Sequence, residues 1–189
     1  QNDIAIAVLE LLEKGRRVAV VDIDAHHGNG VQDAFYAEPR VLKISVHQDG
    51  QTLYPGTGGT DELGTGPGEG FTLNLPLPEL ADDDLLISAF ARVVPRALEA
   101  FSPDLTLIQM GADMHLADPL TGLRMTNRSH QACVRQIVEQ CPRVVALGGG
   151  GYHVGKTVRT WALAWSTLTG IEPVDDFAGM VGSAMYGAD

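Results

Sequence analysis

A run of small, mostly β-branched residues, Val18-Ala19-Val20-Val21, carries directly into Asp22-Ile23-Asp24-Ala25-His26-His27 and breaks at Gly28 and Gly30. A short segment that is apolar at every position reads as a fully buried strand. In an open α/β sheet, ligands bind in the crevice outside the carboxyl ends of the strands. The two carboxylates and two imidazoles therefore stand where a ligand would be held. If strand geometry continues through them, Asp24 and His26, two residues apart, project to the same side. An oxygen and nitrogen donor pair of this kind suits zinc.

The rest of the chain repeats this plan. Asn2 or Asp3 can cap a helix in which Ile4, Ala5, Val8, Leu11 and Leu12 form one apolar stripe, and Gly15 ends it. Val31–Tyr36 reads as a short helix and Val41–Val46 as a second strand that stops at His47. The glycine-rich segment from Gln48 to Gly70 holds Tyr54-Pro55-Gly56-Thr57-Gly58-Gly59. A loop of that length is usually functional or mobile. Thr72–Leu75 is a third strand. Asp82, Asp83 and Asp84 load the start of a long helix with the negative charge its dipole favours. That helix runs to about Phe101, with a kink expected at Pro95. Leu105–Met110 is a fourth strand, ending in Gly111-Ala112-Asp113, and Thr126–Gln140 is helical. Val144–Leu147 is a fifth strand, followed by Gly148 to Gly151, Tyr152 and a last helix, Val154–Leu168. Beyond Gly170 no pattern is legible. Strands separated by helices predict a three-layer α/β/α domain with a mainly parallel sheet. No linker or internal repeat divides residues 1–189, which read as one domain.

Composition narrows the function. The formal charge of -11 argues against direct nucleic-acid or anionic-membrane binding. No apolar run approaches the roughly 18 residues of a membrane span. Cys133 and Cys141 match no metal-binding spacing and read as buried thiols of a reducing cytoplasm. The chain starts at Gln1 without a signal-like segment and enters a helix pattern almost at once, so it is expected to be part of something longer.

Polar groups follow three strands: Asp22, Asp24, His26 and His27 the first, Asp113 the fourth, Tyr152 the fifth. Parallel strands bring these ends to one edge. Asp24, His26 and Asp113 would supply three ligands and leave zinc an open position, as catalytic sites do. Tyr152, after a glycine hinge, could donate its hydroxyl to a developing oxyanion. Plainer readings stand beside this one. Asp113 alone could cap a helix, and His26 and His27 could be surface imidazoles. The glycine tetrad could cradle phosphate, though the Lys-Ser/Thr of a P-loop does not follow it. His47, His115, His130 and His153 read as ordinary polar residues.

Together these segments resemble the histone deacetylase superfamily, which includes acetoin-utilisation proteins and acetylpolyamine deacetylases. The matches are Asp22 to Gly30, Tyr54-Pro55-Gly56-Thr57-Gly58, Gly111-Ala112-Asp113 with Asp118-Pro119-Leu120, and Gly148 to Tyr152, in the family's order. The resemblance implies an arginase/deacetylase-like fold and hydrolysis of N-acetyl amides to amine and acetate. It implies Asp24, His26 and Asp113 as zinc ligands, with iron(II) or cobalt able to substitute because such ligands select weakly. It implies Tyr152 as the residue that hydrogen-bonds the substrate carbonyl. It further implies a potassium site at Asp22 and Ser45 with main-chain oxygens of Asp24, His26 and Val46. Main-chain oxygens of Phe35, Glu38, Val41 and Phe71 would hold a second potassium. Gly150, Gly151 and Leu120 fall on the acyl-substrate path.

The family's general acid and base, two adjacent histidines, belong upstream of the position Asn2 occupies. Asp22 and Asn29 match the residues that hydrogen-bond that pair, and so count among the catalytic positions. The family position of His27 packs beneath the metal, so it is not expected to substitute as the base. A domain lacking its N-terminal part, with impaired activity, is the expectation. The alternative is an inactive remnant or acyl-pocket binding module that associates with itself or another chain, since missing strands leave an open sheet edge. Acetyl-lysine, acetylpolyamines and small acetylated amines all fit as substrates, polyamines least.

Overall fold

The computed structural model describes residues 2–171. Five strands form one sheet: β1 (Val18–Asp22), β2 (Val41–Gln48), β3 (Thr72–Leu77), β4 (Leu105–Met110) and β5 (Val144–Gly148). Every pairing is parallel and the spatial order is β3-β2-β1-β4-β5. The chain runs outward from β1 through β2 to β3, then crosses back to lay β4 on the other flank of β1. The order therefore reverses between β1 and β4, and ligands of such sheets bind at that reversal.

Helices α1 (Asp3–Glu13) and α2 (Asn29–Ala34) cover one face; α3 (Asp83–Phe101), α4 (Asn127–Gln140) and α5 (Val154–Thr169) cover the other. Strand alternation sorts the side chains between them. Ala19, Val21, Leu42, Ile44 and Val46 pack with Leu86, Phe90, Val94, Leu98 and Phe101 of α3 and with Val134 and Ile137 of α4. Val18, Val20 and Val41 pack with Ile4, Val8 and Leu12 of α1 and Val31 of α2. Each such fully buried side chain is worth about 1.5–3 kcal/mol. The three-layer α/β/α arrangement predicted from the sequence is the one observed.

Most boundaries fall within two residues of their predicted positions. The carboxylate of Asp82 caps α3 by accepting from the Leu85 N–H at 3.1 Å. Asp83 instead reaches Thr126, the cap of α4, accepting from its N–H at 2.8 Å and from its hydroxyl at 2.7 Å. The helix continues through Pro95 as a single element. Pro76, which has no N–H to donate, lies on the edge strand β3. The long segment after β2 is held by Glu62, whose Oε1 accepts the N–H groups of Gly58 and Gly59 at 2.7 and 2.9 Å. Among the described residues no helix is long and apolar enough to cross a membrane. Cys133 and Cys141 are buried free thiols.

Candidate metal centre

The strand β1 ends at Asp22, earlier than expected, and the residues beyond it turn on their own carboxylates. Asp22 Oδ1 accepts the N–H of Asp24 at 3.0 Å, and Asp24 Oδ1 accepts the N–H of His26 at 2.9 Å. Aspartate favours such local turns because its short side chain reaches the backbone two residues on. Asp24 and His26 thus converge through consecutive turns, not through strand alternation. Asp113, three residues past β4, accepts the Ala25 N–H through Oδ1 at 2.8 Å. The glycine segment after β5 closes the group: Gly150 N–H donates to Asp24 Oδ2 at 2.6 Å, and Gly150 O accepts from Ala112 N at 2.7 Å. Three strand-end loops are therefore pinned to one another.

Asp24, His26 and Asp113 each direct one ligand-type atom into a space where these atoms lie within 4.8 Å of one another. His26 Nδ1 sits 3.1 Å from Asp24 Oδ1 and 2.9 Å from Asp113 Oδ2. Hydrogen bonding to Asp113 and then Asp24 raises the imidazole pKa to about 10. Burial raises Asp113 to about 6. Burial also pushes Asp24 up, but the hydrogen bonds from His26 and Gly150 outweigh it and hold the carboxyl below its usual range. Asp22 is raised well above the usual range by burial, and nearby Asp24 adds to this. Three carboxyl groups thus face a single imidazole in a poorly hydrated pocket. His26 Nδ1, set between the two carboxylates, marks where a cation would be bound. Two oxygen donors and one nitrogen donor suit zinc, and suit iron(II) or cobalt as well.

Tyr152 is 52% exposed beside this group. Its N–H donates to Asp118 Oδ2 at 2.8 Å, while Asp118 Oδ1 accepts the Leu120 N–H at 2.9 Å. Desolvation, with the charges of Asp113 and Asp24, raises the phenol pKa, so the hydroxyl stays a donor at neutral pH. Leu120 is exposed on the same loop. A Cβ on Gly150 would come within 2.1 Å of Asp113 Oδ2, so the segment can approach the carboxylates only as glycine. Gly151 has φ 147°, outside the range side chains readily adopt. The anchoring role of Asp118 was not anticipated; the spacing of Asp118-Pro119-Leu120 carries no local signal for it.

The histone deacetylase domain profile matches residues 1–168. The chain belongs to the histone deacetylase family. It is 37% identical over 187 residues to acetoin utilization protein AcuC of Bacillus subtilis, covering 91% of this chain and 46% of that protein. Against histone deacetylase B of Dictyostelium discoideum it is 38% identical over 171 residues, covering 90% and 40%. A solved histone deacetylase homologue from Aquifex aeolicus superposes with a TM-score of 0.89 at 33% identity, covering 98% of this chain and 50% of that one. A histone deacetylase homologue solved in complex with SAHA gives 0.86 at 36% identity, covering 90% and 46%. The chain spans about half the length, or less, of these relatives. The fold is that of the arginase/deacetylase group.

The remaining family positions fall on the α2 side of the sheet. Asp22 and Ser45 are direct neighbours across β1 and β2. Ser45 Oγ accepts the Gly28 N–H at 3.3 Å and lies 2.8 Å from His47 Nδ1. Burial lowers the His47 pKa to about 4, so the ring is neutral. Its Nε2 donates to Gly58 O at 3.1 Å, which leaves Nδ1 to accept the serine proton. His27 is buried with both nitrogens engaged, Nδ1 with Thr57 Oγ1 at 2.8 Å and Nε2 with Gln32 Oε1 at 3.0 Å. Gln32 in turn donates to Glu62 Oε2 at 2.5 Å. This network has no signature in the sequence spacing; His27 and His47 stand out only once the loop folds over them. Asn29 opens α2, half-buried. Phe35 O accepts from Lys43 Nζ and Phe71 O from the Lys43 N–H, while Val41 stands two residues before Lys43 on β2 and the Glu38 charge acts on the ammonium.

Proposed function

We propose that this chain carries the metal-binding half of a hydrolase that removes acetyl groups from amines, acetyl-lysine or a related acetylated amine being the substrate. The observation that carries this reading is the convergence of Asp24, His26 and Asp113 at the sheet's reversal point in a histone deacetylase family chain. These three residues would hold zinc. Zinc bound there would polarise the acetyl carbonyl and lower the pKa of a water. Tyr152 stands beside it as an O–H donor for the negative charge that develops on the carbonyl oxygen. Gly150, Gly151 and Leu120 border the approach to the phenol and would contact the acyl chain. Asp22 and Asn29 would orient two histidines supplied by residues upstream of this sequence, fixing tautomer and basicity. Asp22 and Ser45, with main-chain oxygens of Asp24, His26 and Val46, offer the all-oxygen set that would hold a structural potassium. The acidic surface and reduced thiols suit a cytoplasmic protein that binds neither nucleic acid nor membrane.

A fluorogenic acetyl-lysine peptide, assayed with added zinc, tests the reading on this chain and on a version extended upstream. The extended form should turn over, and the 189-residue chain should be about 10²–10⁴-fold slower for want of general acid–base catalysis. Equal rates, or none in either form, would overturn it.

A second reading, an acyl-pocket module that associates with another copy, is favoured by the β5 flank. Among the described residues β5 pairs on one side only, and Val145 and Trp165 are 45% and 65% exposed there. An edge of this kind invites pairing. Light scattering of the chain would give a dimer or larger; a monomer at high concentration would dismiss this reading.

A further inference from the structure

We propose that Lys43 supplies, from within the chain, the positive charge that a second potassium would bring, so that the carbonyls of Phe35, Glu38, Val41 and Phe71 bind no ion. Lys43 lies in the interior strand β2 and is only 4% exposed. Alternation along β2 sends Val41, Lys43, Ser45 and His47 toward the α1 and α2 face, while Leu42, Ile44 and Val46 enter the opposite core. The ammonium of Lys43 ends at the carbonyl of Phe35, to which Nζ donates at 2.7 Å.

That oxygen belongs to the residue that terminates α2. A helix end leaves carbonyls unpaired and carries partial negative charge, so a cation there is favoured. The same oxygen also accepts the Glu38 N–H at 3.1 Å. Two of the other oxygens are engaged as well. Glu38 O accepts from Val41 N at 3.3 Å, and Phe71 O accepts from the Lys43 N–H at 2.9 Å. Three of the four carbonyls thus already have protein donors, and Lys43 provides two of those bonds.

The carboxylate of Glu38 is turned to Arg40, which reaches it through Nε at 2.9 Å and Nη2 at 2.8 Å. It therefore does not draw the ammonium away from Phe35. Burial lowers the lysine pKa to about 8, with the Glu38 charge opposing the shift in part, so the amine still carries its proton at pH 7. An added potassium bonded to Phe35 O would sit against an ammonium already in contact with that atom. Two like charges in a buried pocket of low dielectric repel strongly. The residues present do not fit a second ion; they fit a covalently attached one.

The inference rests on membership of the family and on the Lys43 contacts, and it stands apart from the deacetylase reading because its test reads ion occupancy. Crystals of the protein soaked in thallium(I), an anomalous scatterer that replaces potassium, should show no peak among these four carbonyls. Lys43→Ala crystals should show one there. As a measurement in solution, unfolding midpoints of both forms are compared in potassium chloride and choline chloride at matched ionic strength. Lys43→Ala should gain a potassium-dependent rise in midpoint beyond any in the parent protein. A thallium peak at Phe35 O in the unmutated protein would overturn the proposal, whether or not the variant folds. So would the same potassium dependence in both forms.

Discussion

Asp24 Oδ2 accepts the backbone N–H of Gly150 at 2.6 Å across 126 residues of sequence. The other oxygen of the same carboxylate faces His26 Nδ1 at 3.1 Å. One residue therefore does two jobs: it presents a ligand atom and it fastens the glycine segment that carries Tyr152. The position of the phenol is tied directly to a candidate metal ligand by a charge-assisted hydrogen bond, the stronger kind.

Gly150→Ala should break this tie. The new Cβ would be placed 2.1 Å from Asp113 Oδ2 and 2.9 Å from Asp24 Oδ2, and something has to move. Because the strands and helices do not depend on Gly150, circular dichroism should remain native. Affinity for zinc or cobalt, measured by calorimetry, should fall about 10–100-fold, the range seen when groups supporting a ligand are disturbed. Unchanged affinity would mean the glycine segment does not set the carboxylate positions.

Metal uptake should release a proton. With its pKa near 10, His26 is protonated at pH 7–8 when no metal is bound, and a metal ligand must be neutral. About one proton per ion should appear when calorimetry is repeated in buffers of different ionisation enthalpy, and affinity should rise about tenfold per pH unit. In the metal-free protein the sign is opposite for stability. The folded pKa lies above the ordinary 6.5, so this group's contribution is complete below 6.5 and is lost as pH climbs to about 10. Binding without proton release would place the metal elsewhere.

The sheet and its helices were legible because their signals are redundant. Val18 to Val21, Leu105 to Met110 and the stripe Ile4, Val8, Leu11, Leu12 each identify an element without help from distant residues. The convergence of Asp24, His26 and Asp113 was legible because parallel strands bring their ends together. What was not legible depends on contacts that sequence spacing does not encode. The geometry of Asp24 and His26 comes from Asx-type turns, the orientation of Tyr152 from Asp118, and the setting of His27 from Gln32 and Thr57. Lys43 is the instructive case. It lies inside the run Val41-Leu42-Lys43-Ile44, which reads simply as a strand, and its partner is a main-chain oxygen, which no sequence pattern advertises.

Lys43 should also leave a signature in the pH dependence of stability. Burial lowers its pKa from 10.5 to about 8. Between those values the unfolded chain binds more protons than the native one, so this group makes stability rise with pH, by up to about 1.4 kcal/mol per unit. His26 pulls the other way over pH 6.5–10, so the measurement is a difference. Urea unfolding of the parent protein and Lys43→Met at pH 7.5, 8.5 and 9.5 should show the parent gaining on the variant at each step. A constant difference would mean that Lys43 keeps its ordinary pKa.

Tyr152→Phe separates catalysis from metal binding. The side chain is half exposed and no hydrogen bond from its hydroxyl to a described residue holds the fold, so removal of the hydroxyl should change stability by no more than about 0.5 kcal/mol. The phenol is no part of the Asp24, His26 and Asp113 set, so zinc affinity should stay within about threefold of the parent value. If the hydroxyl donates to the developing oxyanion, its loss in the upstream-extended protein should lower kcat about 10²–10³-fold with little change in KM, the effect of removing one such donor. Asp24→Asn provides the contrast, since it should lose zinc and rate together. A Tyr152→Phe enzyme as fast as its parent would remove Tyr152 from the chemistry while leaving the metal centre intact.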